Sequence, residues 1–410
     1  MVAWRYTEKP MMPGRVLTLI LWVFMVGLSA APESATSDAN LPVWKRDLVL
    51  GLDPRHTETL QDSNRAGVTF LSNQQLLVYA VYRNSEELSS RESPEFASPF
   101  RLHVWTVDSQ SGDVQTHNEW KTRVHDSAVQ VTSGGVLVKT GGIVRLYLPG
   151  FTEIRNLPLT WPLEGNAQVS THVSPTGKTF VIDRPLRAPN DKPWSNPGYN
   201  HLEVFDAASL KTRYSWSISP QLYGRYSISD VAVVHSPTTG RTIHSARFGG
   251  SRWDVIFDDP SRTCVFDSPI AIPDESVVLH HCKDLTVITS PGVSYSLSID
   301  LGSSRDIQKN VCEAYAGSNG DKTTVALGSQ VIALSLPALK YKAHFLTEGR
   351  LCLTALRVVV FDLAHKKQIF TVNLNPVPKS DYDFALSPDG SKLAVLNDRQ
   401  VAVYAMPSPM

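Results

Sequence analysis

Hydrophobic and polar residues alternate along most of the chain, most clearly in the unit Asp381–Met406. Phe384 and Leu386 lie on one face of a strand there, and the turn residues Ser387–Gly390 follow. The later apolar residues again occupy every second position, on both sides of a second turn at Asn397-Asp398. Alternation with a period of two, interrupted by Pro, Asp and Gly, predicts short antiparallel strands joined by tight hairpins.

Two phrases of this unit recur upstream. The Ser-Pro-x-Gly phrase is found at residues 174–177 and 387–390, and with one extra residue at 236–240. The other phrase is an aliphatic–aromatic–Asp strand end, at Asp206 and Asp362, with a looser version at Asp108. An aspartate in this position caps the next turn by accepting hydrogen bonds from its backbone. A recurring hairpin unit of this kind is typical of a β-propeller.

The phrases divide the chain into eight units. These span residues 65–122, 124–163, 165–217, 225–267, 269–303, 311–342, 343–375 and 380–406. Two weak boundaries within 225–342 allow a merger that leaves seven, so a propeller of seven or eight four-stranded blades is predicted. No segment keeps a 3.6-residue period, so helices should be minor. The predicted fold is all-β, with one propeller domain over residues 42–406.

The segment Pro42–Leu50 is predicted to be an isolated strand. The last unit has only three strands before the chain ends, so it lacks one strand. We therefore expect the N-terminal strand to complete the last blade and close the ring, which removes two exposed sheet edges.

The run F-A-L-S-P-D-G-S-K-L-A within Asp381–Met406 resembles repeats of the WD40-like and TolB-like β-propeller superfamily. It is also similar to the C-terminal unit of exported bacterial propeller proteins. The resemblance extends over residues 42–406 but is close only in the last unit. Trp253-Asp254 has no Gly-His dipeptide before it, which does not support the eukaryotic WD40 subtype. The resemblance implies a fold and no particular chemistry.

Residues 1–31 are predicted to be a signal peptide. Arg15 precedes the uncharged apolar run Val16–Leu28, and small residues suited to cleavage follow at Ser29–Ala31. The run is shorter than the roughly 20 residues of a transmembrane helix. A retained anchor is the alternative. We expect an exported protein, periplasmic or secreted, with no stable membrane span once the signal is removed and with a flexible leader at 32–41.

Charge and cysteine content narrow the classes of partner. Lys plus Arg equals Asp plus Glu, 39 against 39, which leaves no net positive charge for binding nucleic acid. Four cysteines follow the predicted signal peptide: Cys264, Cys282, Cys312 and Cys352. In an oxidising compartment they could form two disulfides, and the alternative is four buried thiols.

The sequence has no motif for catalysis or for a cofactor. It contains no G-x-S-x-G, no H-E-x-x-H and no nucleotide-binding glycine-rich loop. Strand alternation would place His280 and Cys282 on one face and His281 on the other, so at most two of them could bind one ion. We therefore expect no catalytic residue, no metal site and no cofactor.

Two insertions are the best candidates for recognition. Arg83–Phe100 and Asp183–Asn200 each interrupt a blade between its second and third strands. In propellers these connections share one rim, where most ligands bind. The Pro-rich second insertion would display cations and aromatic rings, which are enriched at recognition sites. These residues are Arg184, Arg187, Trp194 and Tyr199. The alternative is unconstrained variation of a surface loop.

These observations favour a monomeric binding or protein-interaction module for a protein or cell-envelope ligand, rather than an enzyme. The alternative is a secreted hydrolase or lyase with a site assembled from several blades in the central funnel. Such an enzyme would bring at least three His, Asp, Glu or Arg side chains together there.

Overall fold

The fold is described from a computed structural model. It describes residues 41–47, 66–83, 100–122, 127–140, 143–152, 154–155, 157, 169–186, 199–218, 225–236, 242–247, 252–256, 270–271, 277–281, 284–290, 293–298, 323–325, 331–344, 347–375 and 382–407. The regular structure in these ranges is strand only, and they contain no helix long and apolar enough to cross a membrane.

The described strands form seven four-stranded antiparallel sheets. The first contains β2 (Ala66–Phe70), β3 (Gln75–Arg83), β4 (Phe100–Asp108) and β5 (Val114–Thr122). The second contains β6 (Ser127–Thr132), β7 (Gly135–Thr140), β8 (Ile143–Tyr147) and β9 (Ile154–Arg155). The third contains β10 (Ser170–Val173), β11 (Thr179–Leu186), β12 (Tyr199–Asp206) and β13 (Thr212–Ile218). The fourth contains β14 (Arg225–Ile228), β15 (Ala232–Ser236), β16 (Thr242–Arg247) and β17 (Arg252–Ile256).

The fifth contains β18 (Ile270–Ala271), β19 (Val277–His281), β20 (Asp284–Ser290) and β21 (Val293–Ser298). The sixth contains β22 (Thr323–Val325), β23 (Val331–His344), β24 (Thr347–Asp362) and β25 (Lys367–Asn373). The last contains β26 (Tyr382–Leu386), β27 (Lys392–Asn397), β28 (Gln400–Ala405) and, from the other end of the chain, β1 (Trp44–Asp47).

First strands of successive sheets lie side by side, as β26, β2, β6, β10, β14 and β18 do in turn. Apolar faces fill the space between neighbouring sheets. One cluster joins the last sheet to the first, and others join the first to the second, the second to the third and the sixth to the last. Sheets packed face to face with their first strands at the centre make a β-propeller.

The N-terminal strand β1 pairs antiparallel with β28, from Trp44 opposite Val403 to Asp47 opposite Gln400. It is the fourth and outermost strand of the last sheet. It therefore occupies the position of the strand that the C-terminal unit, with three strands of its own, lacks. The predicted signal peptide and most of the leader lie outside the described residues.

The turns have the predicted chemistry. In both Ser-Pro-x-Gly turns the serine hydroxyl accepts a hydrogen bond from the backbone five residues on, as from Thr179 to Ser174 and from Lys392 to Ser387. Gly390 has a φ of 70°, a conformation that glycine adopts without strain. The capping aspartates are also confirmed: Asp108, Asp206 and Asp362 each accept backbone N–H groups of their own hairpin.

Two details of the unit assignment were wrong. The boundary predicted at residues 342/343 does not exist, because β23 and β24 pair with each other from Val331–Asp362 to His344–Thr347, with two shifts of register. The phrase at 236–240 follows β15, the second strand of its sheet, whereas the other two Ser-Pro-x-Gly turns follow first strands. It is therefore not a copy of the same turn.

Candidate functional site

The structure describes two of the four predicted recognition residues. Arg184 lies in β11 and Tyr199 is the first residue of β12. Arg187 and Trp194 lie outside the described residues, in the connector between these strands.

Arg184 has a different setting from the one predicted. The ladder between β11 and β12 continues to Leu186 opposite Tyr199, so the connector comprises residues 187–198 rather than Asp183–Asn200. Arg184 is only 5% exposed. It is a buried residue of a strand and does not lie on a surface loop.

Arg184 belongs to a charged cluster inside the third sheet. Its guanidinium lies 3.9 Å from a carboxylate oxygen of Glu203, and the other oxygen of Glu203 lies 3.9 Å from Nε2 of His201. The Oγ of Ser215, on β13, lies 3.2 Å from the same nitrogen. Arg184, Glu203 and His201 are all buried, whereas Ser215 is exposed.

Burial changes the acid–base behaviour of this cluster. It lowers the pKa of Arg184, and Glu203 opposes that effect. Burial also lowers the pKa of His201, helped by the charge of Arg184 and opposed by Glu203. His201 is therefore held neutral at neutral pH, because a charged form loses solvation in the interior.

The cluster faces the second sheet and not the centre of the ring. It continues the row of apolar side chains, including Phe180 and Phe205, that pack between the second and third sheets. The three titratable groups therefore meet on the face of one sheet. This differs from a site assembled from several blades in the central funnel.

Both long connectors leave from the same rim. In the first sheet, the pair Arg83–Phe100 ends the ladder between β3 and β4, so the connector between these strands comprises residues 84–99. In the third sheet, the pair Leu186–Tyr199 ends the ladder between β11 and β12, and the connector comprises residues 187–198. In the second sheet, between them, the strands pair up to Thr140 opposite Ile143, so only residues 141–142 join them. Ile143 is 47% exposed there.

In the first sheet, His103 and His117 occupy the positions that His201 and Ser215 occupy in the third, counted from the capping aspartate of each sheet. Nδ1 of His103 lies 3.0 Å from Nε2 of His117. Their rings are nearly parallel, with 6° between the planes, and Trp105 lies parallel to both. His103 and His201 each precede a hairpin aspartate by five positions, in the pattern His-x4-Asp. Sequence reasoning missed this position, although the repeated spacing could have indicated it.

The opposite rim holds neighbouring sheets together. Ser174 and Thr176, in the first turn of the third sheet, donate hydrogen bonds to the carboxylate of Asp230 in the fourth. Lys392 of the last sheet donates to Asn73 and Ser109 of the first. This network gives the turns of that rim a structural role.

The cysteine and metal predictions are untested. Cys264, Cys282 and Cys312 lie outside the described residues, and Cys352 lies in β24 opposite Lys340. His280 and His281 end β19. Within the described part of the chain, no group of three or more His, Cys, Asp or Glu side chains could hold a metal ion.

No protein-family model and no curated protein matches the chain. Among solved structures, the C-terminal WD40 domain of Sif2 is 10% identical, with a TM-score of 0.43, over 89% of this chain and 99% of that one. The Neurospora crassa Pan2 WD40 domain is 9% identical, with a TM-score of 0.49, over 91% and 98%. Streptogramin B lyase is 10% identical, with a TM-score of 0.46, over 89% and 98%. At these values the likenesses assign no ligand or activity to this chain.

Proposed function

We propose that this protein is an exported binding module that recognises a protein or cell-envelope ligand on the rim carrying connectors 84–99 and 187–198. One observation supports this most directly. Two long connectors leave the same rim on either side of a sheet whose strands are joined by only two residues, 141–142. Two long connectors on either side of a short one can both contribute contacts to a single ligand.

The chemistry of the second connector supports recognition. Arg187 provides a guanidinium, which can form a bidentate hydrogen bond with a carboxylate or a phosphate. Trp194 provides a large amphipathic ring. Prolines at positions 189, 193 and 197 restrict the conformations of the unbound connector, which lowers the entropy lost on binding.

The test is the double variant Arg187→Ala with Trp194→Ala. We expect it to weaken capture of a partner from the native envelope fraction by about 2 kcal/mol, roughly 30-fold, with no change in melting temperature. The matched control is Lys178→Ala with Lys211→Ala, two exposed residues in turns of the opposite rim. Loss of binding in the control variant alone would place the site on that rim instead.

A further inference from the structure

Ser215 and His201 are arranged as a nucleophile and a base. Ser215 lies on β13, the outermost strand of the third sheet, and is exposed to solvent. His201 lies on the neighbouring strand β12, is 7% exposed, and has its Nε2 3.2 Å from the serine Oγ. We propose that Ser215 is a reactive nucleophile toward acyl and phosphonyl electrophiles, with His201 as its general base.

The distance fits this role. A serine hydroxyl is a weak nucleophile unless a base lies within about 2.6–3.2 Å and can remove its proton. The His201 side chain is only 7% exposed, so its neighbours restrict the movement of the ring away from Ser215. Burial also keeps the ring neutral and able to accept a proton.

Glu203 completes the electrostatics. Its carboxylate oxygen lies 3.9 Å from Nε2 of His201 and would stabilise the imidazolium formed when the proton is transferred. Arg184 acts in the opposite direction and adds to the effect of burial in lowering the pKa of the ring. The net result is a ring that is neutral at neutral pH and can accept a proton, with Glu203 offsetting part of the cost of charging it.

The first sheet offers an internal comparison. At the same repeat positions His103 faces His117, a second imidazole, at 3.0 Å. That pair has the base without a hydroxyl nucleophile. The chemistry is therefore predicted for the third sheet, on its outer side, away from the central channel.

We expect an ester to react in two steps, through an acyl group bound to Ser215. The Ser215 Oγ bonds to the carbonyl carbon while its proton passes to Nε2 of His201. The ester C–O bond breaks, and the leaving alkoxide takes that proton to become an alcohol. Water then attacks the acyl carbon and gives a proton to His201, the bond between that carbon and Oγ breaks to release the acid, and Oγ takes the proton back from His201. With a fluorophosphonate, the Oγ–P bond forms as the P–F bond breaks, fluoride leaves, the serine proton passes through His201 to solvent, and the serine stays labelled.

The test treats the full-length protein with a fluorophosphonate probe and maps labelled peptides over time. We expect Ser215 to be labelled at least tenfold faster than Ser209, a hydroxyl of the same sheet that bonds to Asp206. His201→Gln should lower the Ser215 rate at least tenfold, and Ser209→Ala should leave it unchanged. The rate should fall as the pH is lowered through a pKa below 6.5. A Ser215 rate no greater than that of Ser209 would overturn the proposal.

A second measurement is available if His201→Gln does not fold. Ser215→Cys and Ser209→Cys place thiols at the two positions, and peptide mapping follows their alkylation by iodoacetamide with His201 intact. We expect the thiol at position 215 to react at least fivefold faster at pH 6.5, because the imidazole removes its proton. Equal rates at the two positions would overturn the proposal.

Discussion

At the scale of single residues, the hairpin aspartates explain the repeated phrases of the sequence. The carboxyl groups of Asp108 and Asp206 each have a pKa below the usual value, because they accept hydrogen bonds from backbone N–H groups. The largest effect comes from the N–H of Ser111 for Asp108 and from that of Ser209 for Asp206. The charged carboxylate is thus part of the turn. Residue type and spacing were enough to predict this role, because the acceptor and its donors lie within three positions of one another.

His172 lies on β10, the first strand of the third sheet, and leads to a prediction of how the free energy of unfolding depends on pH. Burial, with the charge of Lys139, lowers the pKa of His172 to about 4. An unfolded histidine takes up its proton near pH 6.5. Between these values the unfolded state binds more protons, so stability should fall as the pH falls from about 6.5 to 4, by an amount on the order of 2–3 kcal/mol.

Chemical denaturation at pH 7 and at pH 4.5 measures this effect. His172→Gln should lose less stability between the two values than the parent protein does. Lys178→Gln, which removes an exposed charge without adding a titration in this range, serves as the control. Equal losses in parent and His172→Gln would contradict the assignment.

At the scale of strands and hairpins, side chains of two outermost strands donate hydrogen bonds to the next sheet, to the hairpin that begins with a capping aspartate. The indole Nε1 of Trp44 donates to the carbonyl of Ser109, and the hydroxyl of Tyr295 donates to that of Leu363. Both carbonyls belong to the residue directly after the capping aspartate. The same hairpins therefore close a turn within one sheet and accept a side chain from its neighbour.

Removing such a donor should weaken the junction of the last and first sheets. Trp44→Phe deletes the bond to Ser109, and we expect a loss of about 1 kcal/mol in unfolding free energy. Arg46→Ala should cost less, since its ion pair with Asp113 is exposed, with side chains 40% and 67% accessible. Lys45→Ala, on the outer face of the same strand, is the control. Urea titration measures all three, and a Lys45→Ala loss as large as that of Trp44→Phe would refute the role of the indole.

Sequence reasoning succeeded for the elements that local patterns determine. The strands and turns of residues 382–405 followed from alternation and turn residues alone. Sequence reasoning failed where the end of a strand depends on pairing with another strand. Pro185 lacks a backbone N–H and indicated a loop, yet β11 continues through Pro185 opposite Asn200, which places Arg184 in the interior. Likewise β23 and β24 far exceed the usual five or six residues, so their alternating pattern was divided between two units.

At the scale of the whole molecule, export remains a prediction that mass measurement can decide. The apolar run after Arg15 and the small residues that follow predict cleavage near Ala31. Intact-mass analysis of protein from the native host should show a chain that begins there. A mature chain that retains Val16 would refute a cleaved signal peptide and favour the anchor.

The pairing of β1 with β28 also has a kinetic consequence. Asp47 and Gln400 touch although they are 353 positions apart in the chain. Contacts this distant in sequence are slow to form, because the chain must close a large loop before they contribute. A growing chain therefore cannot complete its last sheet until its C-terminal strands have been synthesised, and until then β1 has no strand to pair with. During this interval the incomplete ring is open to aggregation, so a chaperone bound to the nascent chain would be of most use between the appearance of β26 and the docking of β1.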